Sequence, residues 1–100
     1  MNNVEKQFHH AMIGAADFAN SHRFGFRFRK MIEAHGAVEA AKRLPSTYEV
    51  QTGLFRLWDL KALDKSMEAL VIQERFQSLF TDDEIVEARR RLDELDYFKK

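Results

Sequence analysis

Apolar residues recur along this chain at the three- and four-residue spacing of an α-helix. No stretch alternates apolar and polar residues for long enough to predict a β-sheet, and only four Gly and one Pro interrupt the pattern. The first helix is predicted from about Asn3 to Asn20, with an apolar face of Val4, Phe8, Ala11, Met12, Ala15 and Phe18. We therefore predict an all-α protein in which residues 1–100 form a single compact domain of roughly five or six short helices.

The segment HRFGFRFRK, residues 22–30, fits two different patterns. Phe24, Phe26 and Phe28 alternate as they would in a strand, whereas a helical series continues to Gly36, a residue suited to a helix C-terminus. This helical series consists of Phe28, Met31, Ile32 and His35. Because the helical pattern covers more residues, we predict a second helix whose Phe28 faces the core. One of the three Phe side chains is expected to stay exposed.

Residues 37–64 are predicted to form a third helix, a loop and a fourth helix. AVEAAKRL, residues 37–44, is predicted to end at Pro45, and STYEVQTG, residues 46–53, is the predicted loop. Thr52 is predicted to cap the next helix, GLFRLWDLKALD, at residues 53–64. That helix is apolar over most of its circumference, so we expect it at the centre of the core. The apolar residues are Leu54, Phe55, Leu57, Trp58 and Leu60.

Two further helices are predicted in the last third of the chain. DKSMEALVI, residues 64–72, carries Met67, Leu70 and Val71 in helical register. TDDE, residues 81–84, fits a capping box in which Thr81 and Glu84 each satisfy the other's backbone amide. The last helix is predicted to start there and to bury Ile85, Ala88, Leu92 and Leu95. Its exposed face carries two pairs of opposite charge four residues apart, Glu87 with Arg91 and Arg90 with Glu94.

The composition is that of a globular chain, with 45% hydrophobic residues, 32% charged residues and nine Phe. No Cys occurs, which excludes disulfides, thiolate metal sites and cysteine nucleophiles and makes the cytoplasm the expected location. The first residues lack the pattern of a secretory signal, and no apolar run reaches transmembrane length. We therefore expect a soluble, cytoplasmic protein that does not enter a membrane.

The charges are balanced, with 16 Lys and Arg against 16 Asp and Glu, so no global field attracts a polyanion. The two halves differ slightly. Residues 1–50 hold seven basic and five acidic groups, and residues 51–100 hold nine and eleven. The resulting net charges of +2 and −2 could pair copies of the chain head to tail, but the difference is too small to predict this by itself. A homodimer is one expectation for a protein that works through a protein interface.

Several stretches resemble a known family. They are HGAVEAAKRL, GLFRLWDLKALDKSMEALVI, RFQSLFTDDEIVEARRRLDEL and Tyr97, with FHHAM at residues 8–12 matching more loosely. On these stretches, which cover about two thirds of the chain, it resembles a family of small, all-helical bacterial proteins of about 100 residues with no assigned activity. The resemblance implies a compact helical domain of bacterial or phage origin, and it supplies no catalytic residues.

The chain departs from that family in the segment with the greatest positive charge. Where the family has a Gly-Tyr-Asn turn and a second Gly after the HG pair, this chain has HRFGFRF and Ala37. A role for Arg27 or Arg29 is therefore not implied by the resemblance.

Catalytic chemistry is poorly represented in the sequence. Glu5 lies one helical turn before His9, a spacing that can hold a metal ion, but the second pair of ligands in zinc signatures is missing. The remaining His residues are His10, His22 and His35. Ser21, Ser46, Ser66 and Ser78 stand in no nucleophile motif, and no Gly-rich phosphate loop occurs. We therefore expect a non-catalytic protein without metal or cofactor.

The candidate contact residues for a partner are Arg23, Phe24, Phe26, Arg27, Arg29 and Lys30. Arg and aromatic residues are enriched at protein-binding hot spots, which favours a protein–protein interaction module such as an adaptor, small subunit or inhibitor. The same residue types can hold phosphates and stack on bases, so weak, salt-sensitive nucleic-acid binding is the alternative. Small size and the bacterial resemblance associate that alternative with phage defence or counter-defence. A contiguous exposed basic stripe would favour nucleic acid, and an exposed Phe ringed by polar groups would favour a protein partner.

Overall fold

A computed structural model describes residues 2–43 and 48–99, with side chains described from Thr52 onward in the second range. The α-helices are α1 (Asn3–Ser21), α2 (Phe26–His35), α3 (Ala37–Arg43), α4 (Tyr48–Asp59), α5 (Met67–Val71) and α6 (Asp82–Glu94). Short 3-10 segments span Leu63–Lys65 and Glu74–Leu79. The described residues include no strand, so the predicted all-α fold of five or six short helices is confirmed.

Helix α1 has nearly its predicted bounds because local signals mark both ends. The side chain of Asn2 accepts a hydrogen bond from the backbone amide of Glu5 at 2.9 Å, which satisfies one of the amides left open at a helix start. At the other end Arg23 has a positive φ of 68°, and the amide of Phe24 donates to the Ala19 carbonyl at 3.0 Å. This left-handed turn reverses the chain direction into α2.

Glycine defines both ends of α2. Gly25 has φ 74°, and a Cβ atom there would lie 2.8 Å from Cβ of Ala19, so only glycine fits this turn. Gly36, with φ 83°, ends the helix and donates to the Ile32 carbonyl at 2.8 Å. The helical interpretation of residues 28–35 is confirmed, since Ile32 is buried and Phe28 packs against the core.

The prediction is wrong for one residue of the α2 helical series. His35 is exposed rather than core-facing. His35 lies in the last turn of α2. Gly36 then redirects the chain into α3, whose first residue, Ala37, is buried.

The loop and cap predicted before the fourth helix are wrong where the structure describes them. Helix α4 begins at Tyr48, so Thr52 and Gly53 lie inside it, and Thr52 does not cap it. The predicted loop residues 46 and 47, together with Leu44 and Pro45, lie outside the described residues. A β-branched residue or a glycine inside a helix costs about 1 kcal/mol or less, so packing along one side of α4 outweighs it. A Cβ atom at Gly53 would lie 4.0 Å from the ring of Phe24.

The prediction that the fourth helix lies at the centre of the core is also wrong. Leu54 and Leu57 are buried, but Phe55 and Trp58 are 58% and 50% exposed, and Leu60 after the helix is exposed as well. The described side chains of α4 that are buried, Leu54 and Leu57, pack in a cluster with Leu63 and Leu92. A helix with a single packing surface leaves its remaining apolar side chains in solvent, whatever their hydrophobicity.

Helix α5, rather than α4, is the buried centre of the described fold. All five of its residues are buried, and it packs against α1, α6 and both 3-10 segments. Ser66 caps it by accepting a hydrogen bond from the amide of Ala69 at 3.0 Å. Met67, Leu70 and Val71 face the core in the predicted register.

The apolar residues form two adjoining clusters. The larger one centres on Phe8, whose ring meets the rings of Phe76 and Phe80 edge-on, with centroids 5.1 and 5.3 Å apart. Other buried members include Met12, Ala16, Ile32, Ala40, Met67 and Ala88. The smaller cluster joins α4 to α6 through Leu54, Leu57, Ala62, Leu63, Ala69 and Leu92.

Helix α6 confirms the predicted capping box. Thr81 accepts from the Glu84 amide at 3.2 Å, and Glu84 accepts from the Thr81 amide at 2.8 Å. Ala88 and Leu92 are buried, with Ile85 and Leu95 half-buried beside them.

The two predicted ion pairs of α6 form, but one cation is not on an exposed face. Arg90 pairs with Glu94, and Arg91 Nε lies 3.2 Å from Glu87 Oε1. The Arg91 side chain is only 13% exposed and turns inward towards α5. Among the described residues, no helix combines the length and apolar character needed to cross a membrane.

Candidate functional site

The predicted contact residues lie in the turn after α1 and in the first half of α2, but they do not share one environment. Phe24 is half-buried and packs against the smaller core cluster. The guanidinium carbon of Arg56, on α4, lies 5.3 Å from the centroid of its ring. Phe24 therefore holds the turn against α4 and offers little surface to a partner.

Phe26 is the exposed aromatic side chain of this segment. It is the first residue of α2 and is 56% exposed, whereas Phe24 and Phe28 are half-buried, as expected for one of the three. Arg27 is exposed beside it, and Lys30 is exposed one helical turn further along the same face. We call Phe26, Arg27 and Lys30 the α2 outer face.

Arg29 belongs to a different part of the molecule. Its guanidinium pairs with Asp17 on α1, and its Nε atom lies 3.1 Å from Oε1 of Glu33, one turn along α2. It thus joins α1 to α2 and has two carboxylate neighbours. Arg29 does not extend the basic surface of Arg23, Arg27 and Lys30 into one continuous stripe.

The exposed aromatic side chains of α4 are a second apolar surface that the sequence did not predict. Phe55 and Trp58 lie three residues apart, which places them on the same side of the helix. Sequence reasoning placed both in the core, because hydrophobicity alone does not indicate which side of a helix has a packing neighbour.

A buried carboxylate, Glu68, is not among the residues predicted from the sequence. It is the second residue of α5 and is 3% exposed. Its Oε2 atom accepts no hydrogen bond from any residue that the structure describes, and Nη1 of Arg91 lies 3.6 Å away. Burial raises the pKa of Glu68, while its own backbone amide and Arg91 act in the opposite direction.

Glu68 lies at a cleft between α3, α5 and α6 of about 200 Å³, which we call the Glu68 cleft. The cleft is lined by Ala41, Lys42, Met67, Glu68, Val71, Phe80, Asp83, Glu84, Glu87, Ala88 and Arg91. Lys42 and Glu84 connect its two sides, with Nζ 3.3 Å from Oε1. On the other side of Met67 and Glu68 is a smaller cavity of about 60 Å³, lined in part by Phe24, Phe28 and Leu54.

One signal in the sequence points weakly to Glu68. It is the single charged residue in the segment SMEALVI, so a helix that buries this apolar segment on all sides buries a carboxylate as well. The pairing with Arg91 has no such signal, because the two residues are far apart in sequence and meet only when α5 packs on α6.

The pairing of Glu5 with His9 has no support as a metal site. Within residues 2–43 and 48–99, no group of three or more His, Asp or Glu side chains is placed to hold a metal ion.

A scan against protein-family models found no match for this chain, and searches of curated proteins and of solved structures found none. The resemblance to small helical bacterial proteins therefore stays a prediction.

Proposed function

We propose that this chain is a non-catalytic helical protein–protein interaction module that binds its partner through the α2 outer face. The observation that carries the proposal is the exposure of Phe26, at 56%, beside the exposed cations Arg27 and Lys30. Aromatic residues, Phe included, and Arg are enriched at protein interfaces relative to the rest of the surface. We further propose a bacterial cytoplasmic setting, on the lack of Cys and the family resemblance.

The shape and charge of this face define the partner's chemistry. A complementary surface needs an apolar pocket for the Phe26 ring and carboxylates at its rim for Arg27 and Lys30. Arg29 does not contribute, because Asp17 and Glu33 already neutralise it. The preferred partner is therefore a protein with a small acidic, apolar-centred patch.

A second copy of the chain is one form that such a partner can take. The N-terminal half carries a net charge of +2 and the C-terminal half −2, a small difference that favours contact between unlike halves of two copies. Sedimentation equilibrium over a range of concentrations, with the parent protein and Lys30→Glu, distinguishes self-association from binding to another protein.

Weak nucleic-acid binding at the same face is the alternative, supported by the exposure of Arg23, Arg27 and Lys30. Three neighbouring cations give weak binding that salt abolishes. Titration of labelled single-stranded and duplex oligonucleotides over a salt series tests it. Binding that is unchanged in Arg27→Ala/Lys30→Ala would exclude this face as the nucleic-acid site.

Site-specific crosslinking tests the main proposal. The photo-crosslinking amino acid p-benzoylphenylalanine is placed at position 26 and, as a matched control, at position 98. Phe98 is a suitable control because it is also an exposed aromatic residue beside an arginine, with the Arg89 guanidinium 5.9 Å from its ring centroid. We expect a discrete protein adduct, identified by mass spectrometry, at position 26 and not at position 98. Equal labelling at the two positions would overturn the proposal.

Binding measurements with the identified partner then give the contribution of the ring. Phe26→Ala is expected to raise Kd about 30-fold, which corresponds to the loss of about 2 kcal/mol for a hot-spot aromatic residue. Phe98→Ala is expected to leave Kd unchanged within about twofold.

A further inference from the structure

The carboxylate of Glu68 is directed towards the Glu68 cleft. Its Oε2 atom lies 3.6 Å from Nη1 of Arg91, and Arg91 lines this cleft but does not line the smaller cavity on the other side of Glu68. The atom is covered from solvent and accepts no hydrogen bond within the described part of the chain. The ion pair of this oxygen with Arg91 is longer than a hydrogen bond, so the oxygen can accept a shorter, charge-assisted hydrogen bond from another cation.

The lining of the cleft combines an apolar floor with an acidic rim. Ala41, Met67, Val71, Phe80 and Ala88 form the apolar part. The ionisable groups are four carboxylates and two cations, namely Glu68, Asp83, Glu84 and Glu87 with Lys42 and Arg91. Arg90, outside the lining, also pairs with Glu87, so the four carboxylates exceed the cations beside them by one. This balance favours a positively charged ligand and disfavours an anion.

We propose that the Glu68 cleft binds a small organic cation, an ammonium or amidinium group carried on a short apolar body. The apolar body would lie on the floor formed by Met67, Val71 and Ala88. The cationic group would donate to Oε2 of Glu68, at the position that Nη1 of Arg91 occupies in this structure.

Arg91 can give up that position without losing its charge partner. Its Nε atom lies 3.2 Å from Oε1 of Glu87, on the same helix, whereas its Nη1 atom is 3.6 Å from Glu68. The contact with Glu87 is the shorter of the two and lies nearer the surface, since the Glu87 side chain is 41% exposed. The ligand therefore exchanges one cation for another at Glu68, and no charge is left buried without a partner.

The volume of the cleft limits the size of this ligand. Pockets for drug-sized molecules are on the order of 300–1,000 Å³, and the Glu68 cleft is about 200 Å³. A short alkylamine fits this description, and a nucleotide does not. The site shares no residue with the α2 outer face, so either proposal can fail without affecting the other.

A series of three probes of equal chain length tests the proposal with the unmodified protein. Pentylammonium, 1-pentanol and pentanoate are titrated against protein with ¹³C-labelled methyl groups, and methyl shifts of Met67, Val71 and Ala88 are followed by NMR. The methyls of Val86, exposed on α6, are the internal control. Pentylammonium should bind about tenfold more tightly than pentanol, as a charge-assisted hydrogen bond requires, and pentanoate should not bind. Equal affinity for the three probes, or shifts at Val86 of the same size, would overturn it.

Substitution of Glu68 identifies the group responsible for the preference. In Glu68→Gln the preference for pentylammonium over pentanol should fall to about twofold or less, since a neutral amide does not attract a cation. Asp93→Asn, an exposed substitution on α6 outside the cleft lining, should retain the parent's preference. If Glu68→Gln retains it as well, Glu68 is not the binding group and the proposal fails. The probe series with unmodified protein decides the question if that variant does not fold.

Discussion

Two of the ion pairs that join helices in this protein differ in burial. Arg29 pairs with Asp17 between α2 and α1, with side chains 36% and 60% exposed. Arg91 approaches Glu68 between α6 and α5, with side chains 13% and 4% exposed. In the first pair water screens both charges, so its formation or loss changes the free energy of unfolding very little. In the second pair each charge depends on the other, because both have lost most of their hydration.

The difference in burial suits the two regions to different roles. The exposed pair draws Arg29 away from the α2 outer face, on which Phe26, Arg27 and Lys30 are exposed. The buried pair places an incompletely satisfied carboxylate beneath a cleft, where a small ligand can compete for it. The sequence does not distinguish the two pairs, because each joins an Arg to a carboxylate. They differ only in how deeply the folded protein buries them.

The largest expected effect comes from breaking the buried pair. Arg91→Met keeps an apolar, unbranched stem and removes the charge, which leaves Glu68 without this cation. We expect the free energy of unfolding to fall by about 3 kcal/mol, as for other buried pairs that lose one partner. Urea denaturation followed by circular dichroism measures this. Arg90→Met, an exposed neighbour on α6, is the matched control, and equal losses in the two variants would contradict the buried role of Arg91.

The pH dependence of stability gives the second test. Because burial raises the pKa of Glu68 above its ordinary value of 4.5, the folded protein holds this proton more tightly than the unfolded chain does. The contribution of Glu68 is therefore fully present below pH 4.5 and is lost as pH rises through the raised pKa.

Glu87 acts in the opposite direction and in a different pH range. A hydrogen bond from Arg90 lowers the pKa of Glu87 to about 2, so its contribution is lost as pH falls from 4.5 towards that value. Glu68→Gln should flatten the decline in stability above pH 4.5 and leave the decline at lower pH unchanged. Urea denaturation at a series of pH values measures both slopes, and an unchanged slope above pH 4.5 would refute the assignment.

A smaller effect is expected when the exposed pair is broken. Arg29→Ala should lower the free energy of unfolding by about 0.5 kcal/mol or less, because its partners remain hydrated. The loss should shrink further in high salt. The same urea assay measures it, and a loss as large as that of Arg91→Met would show that the two pairs do not differ as their burial indicates.

The smallest effect on stability is expected for Phe26→Ser. The ring is mostly exposed, so the free energy of unfolding should change by no more than about 0.5 kcal/mol. Thermal unfolding by circular dichroism measures this and uses the same protein preparation as the binding assays. A loss of several kcal/mol would mean that Phe26 is a core residue and not a contact surface.

Much of the fold could be predicted because its signals are local. Asn2, Thr81 and Glu84 satisfy backbone amides within one helical turn, and Gly25 and Gly36 adopt backbone angles that other residues avoid. Helical spacing also identified the core-facing side of α1 and three of the five buried residues of α5, namely Met67, Leu70 and Val71. For the candidate site, the exposure of one Phe among three was predicted, but not that it would be Phe26.

The errors share a physical cause. Phe55 and Trp58 are predicted in the core because they are apolar, and Thr52 is predicted to start a helix because threonine is a favourable cap. Neither property depends on which residues lie nearby in the folded chain. Whether an apolar residue is buried depends on which element packs against it, and the packing in the described structure covers Leu54 and Leu57 of α4 but not Phe55 and Trp58. Local preferences of about 1 kcal/mol are too small to oppose such packing.

The sequence by itself determined that this protein is helical, where most helices begin and end, and that cysteine chemistry is excluded. These properties follow from interactions between residues at most a few positions apart. The tertiary structure alone decided that Arg29 is held by Asp17, that α4 exposes its aromatic residues, and that Glu68 meets Arg91 beneath a cleft. Each of these depends on groups brought together by helix packing, and a one-dimensional pattern does not contain their distances or the water excluded between them.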